Sequence, residues 1–235
     1  MKLVILAGGL GTRISEETNF IPKPMIKIGS KPIIWHIMKY YASYGVSDFI
    51  ICGGYKINKI KSFFKFKKNI NKWNVKIIDT GKNSNTGERI KKIRKQFTND
   101  ETFFLTYGDG LSNINIRSLL SLHNKKKSLL TISAVKPPAR FGNLIIKNNK
   151  IKSFYEKKKK YENWISGGFF VCNSKIFNFF KKNNPIFEKE IIPVLVKKGL
   201  AAAYMHTGFW HPMDTIQEKR VLTKLWRTNK APWKI

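Results

Sequence analysis

Acidic residues are scarce in this sequence: 14 Asp and Glu stand against 45 Lys and Arg, a formal net charge of +31 over 235 residues. Arginine is scarce as well, at seven of the 45 cations, and the lysines lie in polar turns such as Lys125–Lys127 and Lys157–Lys160. A nucleic-acid surface gathers its cations along one stripe and interleaves aromatic residues. Neither pattern is visible, so no nucleic-acid partner is expected. A polyanion-binding protein is kept as the competing class; it would lose affinity steeply with salt and survive substitution of Asp109 and Asp214. Cysteine is limited to Cys52 and Cys172, both in apolar runs, which argues against a disulfide framework or a Cys-rich metal site. No apolar run approaches the roughly 18 residues that cross a bilayer. The Leu3–Ala7 run is shorter than the apolar stretch of about 7–15 residues in a signal peptide. The expectation is a cytoplasmic protein with no membrane partner.

What is present is a chain with 42% apolar residues, enough for a substantial core. Lys2–Ala7 is an apolar strand breaking into the glycine-rich run Gly8-Gly9-Leu10-Gly11-Thr12-Arg13. Pro32–Tyr44 has apolar residues at helical spacing, with proline at its start and Gly45 after its end. Strands are expected at Asp48–Gly53, Val75–Asp79, Phe103–Thr106 and Leu129–Val135, with a helix at Ile116–His123. Strands this apolar, alternating with helices, predict an α/β fold with a mixed, mostly parallel sheet. Beyond Pro137 the expected pieces are strands at Leu144–Lys147, Ile151–Glu156 and Ile165–Cys172. Helices follow at Ser174–Phe180, Glu188–Lys198 and Ile216–Trp226. Residues 1–235 read as one domain: a first half to about residue 136, and a smaller second half from about 137 on the same sheet.

The Gly8–Arg13 run has the outline of a phosphate-binding loop, in which glycines let backbone N–H groups point at phosphate oxygens and Arg13 adds charged donors. Its spacing is neither the dinucleotide fingerprint nor a Walker loop, and a plain tight turn is the alternative. Lys23 lies between Pro22 and Pro24, which order the backbone on either side of the cation. Asp109, between Gly108 and Gly110, ends an apolar strand where α/β ligands collect, placed either for Mg²⁺ or as a turn residue. Asp214 precedes a helix and is either a functional carboxylate or an N-cap. His206 and His211 bracket that segment without a third ligand at metal spacing, which argues against zinc. The apolar settings of Trp35, Trp210 and Trp226 read as core.

Leu6-Ala7-Gly8-Gly9-Leu10-Gly11-Thr12-Arg13, with Lys23 in Pro-Lys-Pro, is similar to the signature of the sugar-1-phosphate nucleotidyltransferases. Further stretches resemble the glucose-1-phosphate cytidylyltransferases: Ser15-Glu16-Glu17-Thr18, Lys31–Lys39, Asp79-Thr80-Gly81, Thr106-Tyr107-Gly108-Asp109-Gly110, Pro137–Gly142, Pro212-Met213-Asp214-Thr215 and Ala231-Pro232-Trp233-Lys234. The resemblance covers nearly the whole chain. It implies a Rossmann-like nucleotidyltransferase fold and a reaction of CTP with α-D-glucose 1-phosphate to give CDP-glucose and pyrophosphate, with Mg²⁺. By the same carry-over, Leu6, Ala7, Gly8, Gly9, Gly11, Thr12 and Gly108 hold the nucleotide, and a Thr86-Gly87 turn lies by the base. Arg13 and Lys23 neutralise the triphosphate, and Asp109 and Asp214 hold the metal. Lys157 meets the sugar phosphate, with Glu156, Ser166 and Gly168 near the sugar. A homo-oligomer is also implied, and Trp233 is a candidate interface anchor or a side chain docked on its own domain.

The sequence departs from that pattern in places. Only Ile57–Lys72 joins two segments that the family separates further, Glu156-Lys157-Lys158 replaces Glu-Lys-Pro, Ser166 replaces Asn, and Thr86-Gly87-Glu88-Arg89 replaces Thr-Gly-Gly-Arg. The acceptor side carries two of these changes. A different phosphorylated acceptor is therefore the alternative to glucose 1-phosphate, and fails if glucose 1-phosphate is much the best.

Overall fold

Lys2–Leu6 (β1) buries successive side chains on both of its faces, so it must sit inside a sheet covered on both sides. The computed structural model describes residues 1–65, 72–137, 143–147, 149–155 and 164–235. The other sheet strands are β2 (Asp48–Gly53), β3 (Asn74–Asp79), β4 (Thr102–Tyr107), β5 (Leu130–Val135), β6 (Ile165–Asn173) and β7 (Ala201–His206). Among the described residues they form one seven-stranded sheet in the order β7-β5-β6-β4-β1-β2-β3. Only β6 runs against the rest, pairing antiparallel with both β4 and β5. The mixed, mostly parallel α/β fold is as expected.

The helices are α1 (Ile33–Ala42), α2 (Ile57–Lys65), α3 (Thr86–Lys92), α4 (Ile116–Lys126), α5 (Ile192–Lys197) and α6 (Ile216–Arg227), besides single turns. Strand alternation divides the core in two. Leu3, Ile5, Phe49, Ile51 and Phe104 face α1, α4 and α6. Val4, Leu6, Ile50, Cys52, Phe103 and Leu105 face the other way, against Ile90 of α3, Leu195 of α5 and Phe187 just before it. Burying each such Ile, Leu or Phe side chain contributes about 1.5–3 kcal/mol relative to exposure. Cys52 and Cys172 are both free and buried in this second core. Among the described residues no helix is long and apolar enough to cross a membrane.

Several expectations need correction. The expected Thr86-Gly87 turn is the first turn of α3, entered from extended Asn85 and packed on Pro185, whose carbonyl accepts from Glu88 N–H at 3.1 Å. The expected helix at Ser174–Phe180 is 3₁₀, over Ser174–Phe179. The one expected at Glu188–Lys198 is a π-helical turn, Phe187–Ile191, followed by α5. Pro193 explains that break, because it has no N–H to donate and its ring crowds the carbonyl four residues back. Strand β7 was not foreseen: its Ala201-Ala202-Ala203 run lacks alternation and β-branching. It forms because it lies along β5, from Ala201 beside Leu130 to His206 beside Val135. Trp35, Trp210 and Trp226 are part-buried, with Trp210 and Trp226 packed against the first core. Trp233 is only 2% exposed within the single chain, with its ring 5.4 Å from that of Phe209. It anchors its own domain.

Candidate active site

Strands β1, β2 and β4 end side by side. Ala7 N–H donates to Cys52 O at 3.0 Å, Gly108 N–H to Leu6 O at 3.0 Å, and Tyr55 N–H to Gly8 O at 3.1 Å. The Gly8–Arg13 loop thus leaves over the carboxyl ends of parallel strands, where open α/β sheets collect ligands. Beneath it lies Arg89, 4% exposed. Its guanidinium donates to Gly8 O at 2.9 Å, Gly53 O at 3.1 Å, Gly81 O at 2.9 Å, Lys82 O at 3.3 Å and Thr80 Oγ1 at 2.7 Å. A Cβ on Gly8 would come within 2.0 Å of Arg89 Nη1, so any other residue there would have to displace the guanidinium from its hydrogen bonds.

Two distant carboxylates meet at one cation. Gly110–Ser112 pairs antiparallel with Trp210–Pro212, and Met213 N–H donates to Asp109 O at 2.9 Å, which draws Asp214 beside Asp109. Asp214 is not the N-cap of α6. Thr215 is, in a capping box with Glu218, whose carboxylate also accepts from Asp214 N–H at 2.6 Å. The Asp214 carboxylate is thereby left for the site. Lys23 Nζ lies 2.6 Å from Asp109 Oδ2 and 2.5 Å from Asp214 Oδ1, and Arg13 Nη1 lies 2.5 Å from Asp214 Oδ2. Burial alone would pull the Lys23 ammonium down, but the Asp109 and Asp214 carboxylates outweigh it and hold its pKa above the ordinary lysine value. Lys23 is therefore a fixed cation across the physiological range.

Two adjoining cavities open here. The smaller, about 380 Å³, is lined by Leu6–Gly9, Gly11–Arg13, Lys23, Ser84–Thr86, Arg89, Gly108 and Asp109. The larger, about 670 Å³, is lined by Asp214, Ser166–Phe169, Glu188 and Trp210 among others. Arg13, Thr86, Tyr107 and Asp109 line both and form the seam between them.

Of the residues singled out in the sequence, Leu6, Ala7, Gly8, Gly9, Gly11, Thr12, Arg13, Lys23, Thr86, Gly108 and Asp109 all come together at the smaller cavity. Gly87 does not line it; it is buried where a Cβ would lie 2.7 Å from Pro185 O. Ser166, Gly168 and Asp214 line the larger cavity. Gly168 takes a φ of +76° with the Tyr107 ring where its Cβ would be, at 2.4 Å from Cδ2. Glu156 and Lys157 lie outside the described residues. Sequence reasoning missed Arg89, Tyr107, Glu188 and Trp210. Arg89 and Tyr107 were visible only as members of quoted motif stretches with no role assigned, and Glu188 and Trp210 join them only through tertiary structure. The Tyr107 hydroxyl donates to Glu188, and burial first, then that carboxylate, push the phenol well above its ordinary pKa.

Asp109 and Asp214 present hard carboxylate oxygens converging on one cationic position, a donor set that suits a divalent ion completed by phosphate oxygens. Among the described residues, no group of three or more His, Cys, Asp or Glu gathers as a self-sufficient metal cage.

The sequence profile of the nucleotidyl transferase family matches residues 2–218. The chain belongs to that family. As a nucleotidyltransferase it is 42% identical to the glucose-1-phosphate cytidylyltransferase of Salmonella typhimurium, over 100% of this chain and 99% of that protein. It is 41% identical to the probable glucose-1-phosphate cytidylyltransferase of Bacillus subtilis, over 100% of both chains. Among solved structures, HddC from Yersinia pseudotuberculosis matches with a TM-score of 0.76 and 26% identity, over 96% of this chain and 99% of that one. UDP-glucose pyrophosphorylase bound to UDP-glucose shares the fold, with a TM-score of 0.75 at 18% identity, over 97% and 98% of the two chains.

Proposed function

We propose that this nucleotidyltransferase transfers a cytidylyl group from CTP to glucose 1-phosphate, forming CDP-glucose and pyrophosphate. The observation that carries the reading is the seam: a node of two cations and two carboxylates where a cavity under the glycine-rich loop adjoins a larger one. Two polyanions brought together there need positioning and charge neutralisation above all. CTP and glucose 1-phosphate as the pair are supported by what the 42% and 41% identical relatives are named for.

The smaller cavity takes CTP. Backbone N–H groups of the Gly8–Arg13 loop hold phosphate oxygens, Arg89 keeps that loop in shape, and the base lies toward Ser84–Thr86. The larger cavity takes the sugar. An oxygen of the sugar phosphate attacks the α-phosphorus, a P–O bond forms, and the bond to the β-phosphate bridging oxygen breaks with its electron pair leaving on pyrophosphate. The attacking phosphate is already ionised near pH 7, so neither a protein nucleophile nor a strong base is required. Lys23 and Arg13 offset the charge that grows on the departing group, and losing one such donor typically costs about 10²–10³ in rate. Asp109 and Asp214 would hold Mg²⁺, which when bound supplies further charge neutralisation at the phosphates.

The test is pyrophosphate release with Mg²⁺ and glucose 1-phosphate, offering CTP, dTTP, UTP, ATP and GTP in turn, with Asp109→Ala as control. Release with CTP, lost in the control, is the expected result. Equal release with all five nucleotides, or none with any, would refute the assignment.

A further inference from the structure

Glu188 lines the larger cavity and not the smaller one. It is the second residue of the π-helical turn Phe187–Ile191, a backbone irregularity frequently found at functional sites. The Tyr107 hydroxyl donates to Oε1, and Thr86 Oγ1 donates to Oε2 at 2.6 Å. Thr86 is itself fixed, because its oxygen accepts from Phe187 N–H at 3.0 Å. The carboxylate is therefore held in one orientation. An ionised carboxylate accepts about four hydrogen bonds, so two acceptor positions remain beyond those used by Tyr107 and Thr86. In a chain of charge +31, no Lys or Arg among the described residues forms a salt bridge with it.

A fixed, acceptor-only anion on the wall of a cavity has a definite preference. It attracts hydroxyl donors and repels phosphate. A sugar 1-phosphate has both kinds of group at opposite ends, and Arg13 and Lys23 mark the end where phosphate is welcome. We propose that Glu188 is a specificity-determining residue, accepting hydrogen bonds from ring hydroxyls of the sugar and so turning its phosphate toward the seam. This rests on the assignment of the larger cavity to the acceptor. It differs from a purely structural tie between α3 and the π turn, which would affect both substrates alike.

The experiment compares wild type and Glu188→Gln in steady state with CTP, glucose 1-phosphate and the set of monodeoxyglucose 1-phosphates. Gln keeps the shape but loses the charge and one acceptor oxygen. Hydrogen bonds to charged groups are strong enough that KM for glucose 1-phosphate should rise about 10–100-fold. KM for CTP should move far less. Wild type should discriminate against at least one deoxy sugar by a similar factor, and the variant should lose that discrimination. If Glu188→Gln does not fold, Glu188→Asp, which withdraws the carboxylate by one methylene, carries the same comparison. An unchanged acceptor KM with unchanged deoxy-sugar ranking, or equal impairment toward CTP and sugar, would overturn the role of Glu188 while wild-type turnover leaves the proposed function standing. A wild type inactive with every hexose 1-phosphate would remove both.

Discussion

The smaller cavity draws much of its lining from two contiguous stretches, the glycine-rich loop (Leu6–Gly9 and Gly11–Arg13) and Ser84–Thr86, the loop being locked by one buried arginine. The larger is walled by side chains from separated segments: the start of β6, the Phe187–Ile191 turn and the Trp210–Pro212 strand, where Trp210 Nε1 donates to Gly167 O at 2.7 Å. On the proposed assignment of substrates, the contrast follows from what each is suited to hold. A triphosphate is the same in every nucleotide and can be gripped by main-chain N–H groups that no side-chain substitution alters. Sugars differ in the placing of hydroxyls, and only side chains can read those. Substitution should therefore damage fold and turnover together on the first side and, away from the Asp214 carboxylate, mainly sugar recognition on the second.

The largest effect is expected from Arg89→Met. It removes the charge-assisted hydrogen bonds that tie Gly8, Gly53, Thr80, Gly81 and Lys82 together, each worth about 1.5–3 kcal/mol. Urea denaturation should show a loss of at least about 3 kcal/mol, and any folded fraction should bind CTP more weakly. A variant as stable as wild type would break the contrast. A smaller effect is expected from Ser166→Asn. Ser166 is exposed at the start of β6, beside Ala134 of β5. Exposed substitutions usually stay within about 0.5 kcal/mol in stability. CTP affinity should hold while the ranking of sugar 1-phosphates shifts by up to roughly tenfold. A change in CTP binding as large as the change in sugar ranking would show that the two sides are not separable.

The sequence was informative where chemistry is local. Gly8–Arg13 and Pro22-Lys23-Pro24 announce themselves because loop geometry and cation lie within one short stretch, and alternating apolar strands announce the sheet. It was less informative where partners are distant. That Asp214 would face Asp109 depends on the pairing of Gly110–Ser112 with Trp210–Pro212, and the Thr215 cap that frees its carboxylate could equally have been Asp214 itself. Tyr107 and Glu188 meet only once β4 and the π turn are packed, and nothing local marks their pairing. The alanine run of β7 becomes a strand through its neighbour and not through its own propensity.

The central claim is that both substrates occupy adjoining cavities at once and react directly across Asp109, without a covalent enzyme intermediate. The most direct measurement is the stereochemical course with one diastereomer of CTP carrying sulfur at the α-phosphorus. A single in-line displacement predicts inversion at phosphorus in the CDP-glucose formed. Retention would require two displacements through an enzyme nucleophile and would contradict the account.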